Sequence, residues 1–470
     1  MRQPAYALVS AAITALVLAL SLPAHAGSFY LPERGARALA MGGANIAGAD
    51  DMNAQWLNPA ALTRLHGDLA LYVDLGLILT QQSFARADDA EVMRKDPRYA
   101  NGFPTVKNEG PPFPDPSLGV ATHFGTEDFV FALGLYGPYA GTNKWPQDGP
   151  QRYSLVNLNA LELFVQGSVA WHISDRLSIG LGLQWVITTI TQRLAISAYP
   201  GVFGWAEQPD LDTLAEVSVS DLFTPSANLG VLLTPVDGFD IGLSAQLPVH
   251  ADASGTLKVR LPSHYYFSDT TVTGNKIGLS LNFPAILRAG LRVYDSDLWS
   301  VEVAAVYELW STLDKIDVSP GAGGIAFTNV PGIGTYHVKS FSLDERSKDV
   351  ISLRLGGSFR PGHGLVTLRA GALYESSSLP DTTTSVLKID NAKIGGTLGA
   401  TFHLGAYDVD VAAAWIQQLD RTVTDSVNYQ VNPIYDQDPS AYGGTGPHTV
   451  GNGTYGGSYL MFAATFNAAF

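Results

Sequence analysis

Leu69-Ala70-Leu71-Tyr72-Val73-Asp74-Leu75-Gly76-Leu77-Ile78-Leu79 is the stretch on which the reading of the fold turns. Every odd position is aliphatic, and Ala70, Tyr72, Asp74 and Gly76 fill the even ones. A period of two is the signature of a β-strand, whose side chains point alternately to opposite faces. A soluble sandwich would alternate too, so the placement of charge decides. Arg or Lys on a lipid-facing position costs about 2–4 kcal/mol at the bilayer midplane, whereas a water-filled lumen accepts it.

Later segments keep one face free of charge in the same way. Val301, Val303, Ala305, Tyr307 and Leu309 oppose Glu302 and Glu308; Ile351, Leu353, Leu355 and Phe359 oppose Arg354 and Arg360. Val409, Val411, Ala413 and Trp415 likewise oppose Asp408 and Asp410. Fourteen such segments begin near residues 68, 117, 128, 160, 176, 226, 238, 276, 298, 349, 364, 393, 407 and 457. Tight turns are expected at residues 125–128, 174–176, 234–238, 295–297, 360–364 and around Gly405. They alternate with long connections at residues 81–116, 192–224, 311–348 and 420–456. An even strand number with short turns at one end and long loops at the other predicts a 14-stranded antiparallel transmembrane β-barrel with both termini in the periplasm. The last segment places Leu460, Phe462, Ala464, Phe466, Ala468 and Phe470 on one face and ends on an aromatic. Such a terminal strand is similar to the signal that outer-membrane barrels present to their assembly machinery.

At the other end Arg2 precedes an apolar stretch at residues 11–22, followed by Ala24-His25-Ala26. This reads as a secretory signal peptide over residues 1–26. Beyond it no apolar run reaches the about 18 residues that a membrane helix needs, and a membrane protein without helices must be a closed barrel. The chain of 470 residues has 48 Gly, 20 Tyr and 20 Phe, 15% charged residues and no Cys, so disulfides and thiolate metal sites are excluded. A net charge of −15 argues against a nucleic-acid partner, which needs a basic footprint.

Residues 27–66 do not alternate. They are too apolar for a free tail, and a barrel of fourteen strands has room inside, since about eight strands are the number whose side chains fill the lumen. The expected organisation is therefore a hatch at residues 27–66 inside a barrel at residues 67–470. Phe29, Gly42-Gly43-Ala44, Asp50-Asp51 and Asn58-Pro59-Ala60 together resemble the N-terminal hatch of the FadL/TodX family of outer-membrane transporters. Asn157-Leu158-Asn159, Leu177-Ser178-Ile179-Gly180-Leu181-Gly182, Phe283-Pro284-Ala285 and Phe466-Asn467-Ala468-Ala469-Phe470 continue the likeness along the chain.

The third segment meets Gly137-Pro138. Pro has no N–H for the ladder and Gly often marks a bulge, so pairing is expected to fail there. The resemblance implies a lateral wall opening at this kink, gated by Asn58, Pro59 and Ala60, with Asn58 hydrogen-bonding near Gly137. It also implies uptake of long-chain fatty acids or aromatic hydrocarbons by passive diffusion, without cofactor or metal, by a monomer in contact with outer-membrane lipid. Candidate ligand contacts are Phe29, implied by the resemblance, and Phe203, Trp205, Tyr265, Tyr266 and Phe267 in apolar loops, since exposed apolar patches usually mark binding sites. Arg354 and Arg369 are inward-facing candidates for a fatty-acid carboxylate, though neither is singled out by the sequence.

Three rivals stand beside this reading. Ser168 and His172 share a face of the fourth segment, but four residues along a strand is roughly 13 Å, too far for a nucleophile and its base. G-x-S-x-G, H-E-x-x-H and Walker patterns are absent, so no enzyme is expected. A general porin would lack the plug-like leader and apolar loops, and an adhesin gives no reason for Gly137-Pro138.

Overall fold

The computed structural model describes residues 34–201, 203–296, 298–433 and 448–470. The expected signal peptide and Phe29 lie outside these residues. Fourteen antiparallel strands close on themselves. They are β1 (Leu69–Arg86), β2 (Phe113–Thr122), β3 (Phe129–Lys144), β4 (Asn157–Ser174), β5 (Leu177–Ser197), β6 (Asp212–Val236) and β7 (Phe239–Gln246 and Val249–Arg260). There follow β8 (Lys276–Phe283 and Ile286–Asp295), β9 (Trp299–Glu308 and Lys315–Pro320), β10 (Phe341–Asp344 and Val350–Phe359), β11 (Val366–Glu375), β12 (Lys393–Leu404), β13 (Tyr407–Val423) and β14 (Gly453–Ala469).

Closure is complete because β1 pairs with β2 on one side and with β14 on the other, from Ala70 opposite Ala469 to Arg86 opposite Gly453. The main chain of Phe470 extends the seam: its N–H donates to Leu69 O at 2.9 Å, and its carbonyl accepts from Leu69 N at 3.1 Å. A closed sheet leaves no unpaired edge, which is what lets strands cross lipid. The first stretch quoted above behaves as read. Leu69, Leu71, Val73, Leu75 and Leu77 point outward, Leu75 at 57% exposure, while Ala70, Tyr72 and Asp74 are buried inside. Val301 and Tyr307 face out, and Glu302 and Glu308 face in.

The tight turns fall where expected, but the long connections are shorter than their polarity suggests, as one of them shows. Residues 192–224 contain the end of β5 and the start of β6, so only residues 198–211 separate the two strands. Ile196 and Leu214 thus belong to strands, and β6 begins at Asp212 rather than near residue 226. The reason is that this part of the ladder runs on past the lipid-facing band, from Thr188 opposite Asp221 to Ser197 opposite Asp212, where polar residues on the outer face carry no penalty. Val249–Arg260 of β7, Lys276–Phe283 of β8, Lys315–Pro320 of β9 and Phe341–Asp344 of β10 extend the wall similarly.

Residues 34–66 sit against the inner faces of the strands. They contain α1 (Ala36–Ala40), α2 (Ala54–Leu57) and a 3-10 turn at Pro59–Arg64, and almost all are buried. Their main-chain groups are satisfied by the wall. Glu302 of β9 accepts from the N–H groups of Ile46 and Ala47 at 2.6 and 2.9 Å, Thr397 of β12 donates to Ala40 O at 2.9 Å, and Asn228 of β6 donates to Gln55 O at 2.8 Å. Buried backbone polar groups left unpaired would each cost about 1–3 kcal/mol. Ion pairs add to this seating: Arg37 reaches Asp408 and Asp410 of β13, and Arg64 reaches Asp240 of β7 at 2.6 Å.

Candidate functional site: a wall opening, a hatch and an apolar cavity

The wall has one local failure of pairing that coincides with Gly137-Pro138. On the β4 side, Tyr136 faces Phe164 and Tyr139 faces Glu162, so two residues of β3 stand where β4 supplies one. That is a β-bulge, which bends its strand and interrupts the ladder. On the β2 side the ladder stops at Leu118 opposite Leu135. Residues 113–117 remain paired with β1 but have no partner in residues 136–140 of β3. Those five residues of β3 are all buried, so the kink draws the strand inward. Proline acts from both sides of the gap, because Pro114 and Pro116 of β2, like Pro138, lack the N–H that a ladder needs. The two prolines of β2 are a signal that sequence reading passed over.

The Asn58-Pro59-Ala60 turn sits elsewhere on the wall. Asn58 caps the 3-10 turn by accepting from Ala60 N, and its Nδ2 donates to Ile46 O and to Val231 O of β6. The expected bond near Gly137 is not formed. The hatch crosses the lumen, so the residues it presents to β3 and β4 come three and two positions earlier. Gln55 exchanges hydrogen bonds with Gln166 of β4, and the Trp56 ring packs on Tyr136 and Phe164 with centroids at 5.5 and 5.7 Å. Gly230 explains how Asn58 can approach β6 so closely, since a Cβ there would overlap its Oδ1.

Beyond Trp56 the same apolar cluster opens into a cavity of about 600 Å³. This falls within the about 300–1,000 Å³ usual for small-molecule sites. Its walls are the inner faces of the extended strand segments. Ile277, Leu279, Leu281 and Phe283 of β8 point in, with Trp310 and Leu313 beside them. Tyr139 and Ala140, just past the bulge in the stretch of β3 that borders the gap, line it too. An inward face that turns from polar to apolar along one strand was readable in Ile277, Leu279, Leu281 and Phe283, and it marks the chamber. Four charged side chains border it: Glu162, Lys339, Glu345 and Lys388. Lys388 is 5% exposed and pairs with Glu345 at 2.9 Å. Arg354 lies away from this cavity, beside Ser352 and Glu375, and Arg369 bonds Thr401.

The loop residues divide. Phe267 is buried and lines the cavity. Phe203 packs against its cluster from outside, with Tyr199 and Leu211. Tyr265 and Tyr266 are exposed and form a stack with Phe203, the Phe203 and Tyr266 centroids being 4.4 Å apart. Trp205 is partly exposed and does not border the cavity.

The sequence profile described as "Outer membrane protein transport protein (OMPP1/FadL/TodX)" matches residues 17–470. The chain belongs to the FadL/TodX family. It is therefore an outer-membrane transport protein for hydrophobic compounds, a channel rather than an enzyme. No curated protein matches it by sequence. Among solved structures, a Pseudomonas aeruginosa FadL homologue superposes with a TM-score of 0.74 at 15% identity, covering 94% of this chain and 100% of that one. The Ralstonia pickettii toluene transporter TbuX gives 0.61 at 16% identity, and the P. putida toluene transporter TodX 0.63 at 15%, each covering 94% of this chain and 99% of the other. At such identities the likeness establishes the fold, a closed 14-stranded barrel.

Proposed function

We propose that this FadL/TodX protein takes up long-chain fatty acids, and that they leave the barrel sideways through the gap between β2 and β3. The observation that carries the reading is that Tyr139 and Ala140, in the stretch of β3 that borders the gap, also line the apolar cavity. A greasy solute in a water-filled lumen would gain nothing by moving toward the periplasm, whereas release into lipid keeps its apolar surface out of water at about 25 cal/mol per Å². The exposed stack of Phe203, Tyr265 and Tyr266 serves as the capture surface, Phe267 leads into the cavity, and the hatch around Asn58, Pro59, Ala60 and Trp56 gates the exit. Diffusion down a gradient needs no cofactor.

A fatty acid fits better than a bare hydrocarbon because Lys388 puts a cation in the cavity wall, although Glu345 must give up part of its hold when a carboxylate arrives. The predominantly apolar lining keeps aromatic hydrocarbons as the second reading. With the short turns toward the periplasm both termini lie there, and the outward Phe470 is available to the assembly machinery. The protein works as a monomer surrounded by outer-membrane lipid.

Uptake of labelled oleate, with toluene in parallel, by cells lacking their own transporter tests this. Oleate uptake that falls when residues 27–60 are removed supports a gated fatty-acid channel. Entry of toluene alone moves the substrate to hydrocarbons, and entry of small hydrophilic solutes alone makes the protein a porin.

A further inference from the structure

The cavity contains one polar group that the transport reading leaves unused. Glu162 of β4 is 2% exposed and lines the apolar chamber. Thr188, directly opposite on β5, donates to its Oε1 at 3.0 Å and lines the chamber as well. Oε2 has no hydrogen-bond partner. Nor is any Lys, Arg or His paired with this carboxyl among the described residues, in contrast to Glu345, Glu375 and Glu207. A buried carboxyl oxygen without a partner costs about 1–3 kcal/mol relative to a satisfied one, so a group kept in that state is one that a ligand can satisfy.

Its position is specific. Glu162 faces Tyr139 across the β3–β4 ladder, the first pair beyond the bulge, and a Cβ at Gly137 would come within 2.9 Å of its main-chain oxygen. The carboxyl therefore stands in the chamber beside the bulge, on the strand across β3 from the gap. Tyr139, the neighbour of Glu162 across the ladder, packs on Phe283 with ring centroids 5.0 Å apart, and both rings line the chamber.

We propose that Glu162, oriented by Thr188, is a hydrogen-bonding subsite of the chamber, beside the β3 bulge, for the O–H group of a neutral, long-chain amphiphile. An alcohol and the protonated form of a fatty acid share that chemistry. The free Oε2 accepts the O–H hydrogen, and the alkyl chain lies along the apolar lining. The inference rests on the cavity being the ligand chamber.

Equilibrium binding to the intact protein held in amphipol tests it with three probes of equal chain length: oleyl alcohol, oleic acid and 1-octadecene. The wild type is expected to bind at least one O–H probe about tenfold more tightly than the alkene, the difference one buried hydrogen bond makes. Glu162→Leu should abolish that preference. Glu162→Gln, which keeps an acceptor oxygen, should retain most of it. Loss confined to the alcohol, or to the acid, assigns the subsite to that head group; loss for both assigns it to O–H groups generally. Should Glu162→Leu not assemble, Thr188→Val removes only the orienting hydroxyl and should lower the preference about threefold. A preference untouched by these substitutions overturns the subsite and leaves the chamber standing. A wild type that binds none of the three probes overturns the chamber itself.

Discussion

Asn58 Nδ2 donates to Val231 O on β6 and to Ile46 O within the hatch, both at 3.1 Å, so a single amide ties the hatch to itself and to the barrel wall. Its Oδ1 accepts from Ala60 N at 3.2 Å and completes the cap. Asn58→Ala leaves these buried groups without partners and should lower the local stability of the hatch by about 1–3 kcal/mol. At 1.4 kcal/mol per decade, amide exchange over Pro59–Arg64 should accelerate by roughly tenfold to a hundredfold. Unchanged exchange would show that the 3-10 turn is held from elsewhere.

Gly43 adopts φ 77°, in the left-handed region, and a Cβ placed there would run into the guanidinium of Arg354. Both effects act against any other residue, the backbone alone by about 1–2 kcal/mol. Gly43→Ala should therefore loosen the hatch from β10 while the strands still assemble. Faster exchange over Ala36–Ala40 in a barrel that keeps its heat-modifiable gel mobility is the expected result.

The lipid-facing band makes a sharper prediction. Leu75 projects outward from β1 beside the inward, buried Asp74. Leu75→Arg should destabilise the barrel by about 2–4 kcal/mol if residue 75 lies near the midplane. Reversible urea unfolding in bilayers measures this directly, and a change within about 0.5 kcal/mol would place Leu75 outside the hydrocarbon.

At the end of the barrel with the long loops, His448 and Asp89 lie 2.8 Å apart. The hydrogen bond from His448 holds the Asp89 carboxyl well below the usual carboxylate range, against burial. For His448 burial opposes the charge, but the hydrogen bond and the charge of Asp89 prevail and raise it above 6.5. Asp89 thus contributes stability above the ordinary carboxylate range, lost as pH falls through its lowered pKa. His448 contributes below its ordinary value, lost as pH rises through its raised one. Because Asp89 also caps the helix Ala90–Lys95, tryptic cleavage after Arg94 and Lys95 should increase above neutral pH. In His448→Asn that dependence should vanish, once each rate is referred to a model peptide at the same pH.

How much of this was legible in the chain depends on which force sets each feature. Strand number, closure and the polarity of the two faces follow from where Asp74, Glu302, Arg354 and Asp410 can be tolerated, so local alternation carries them. Loop boundaries at Ser197 and Asp212 were less visible, because outside lipid both faces of a strand can be polar. The gap was half legible: Gly137-Pro138 stood out, but its other edge, at Pro114 and Pro116, matters only once β2 is known to lie alongside. The partner of Asn58 was not legible at all. It depends on the path of the hatch across the lumen, which brings Gln55 and Trp56 to β4 and Asn58 to β6. Glu162 escaped for a related reason, since one carboxylate among many inward ones becomes unusual only when its neighbours prove to be apolar.

Lateral exit is tested most directly by closing the gap. Deleting Gly137 and replacing Pro138, Pro114 and Pro116 with Val removes the extra residue of the bulge and restores the missing N–H groups on both edges, so that β3 can pair with residues 113–117 of β2 and stay in step with β4. Uptake of labelled oleate by cells expressing this variant should fall at least tenfold, toward the level of cells without the protein, while surface expression and heat-modifiable mobility match the parent. Oleate uptake equal to the parent in a correctly assembled barrel would contradict exit through the wall.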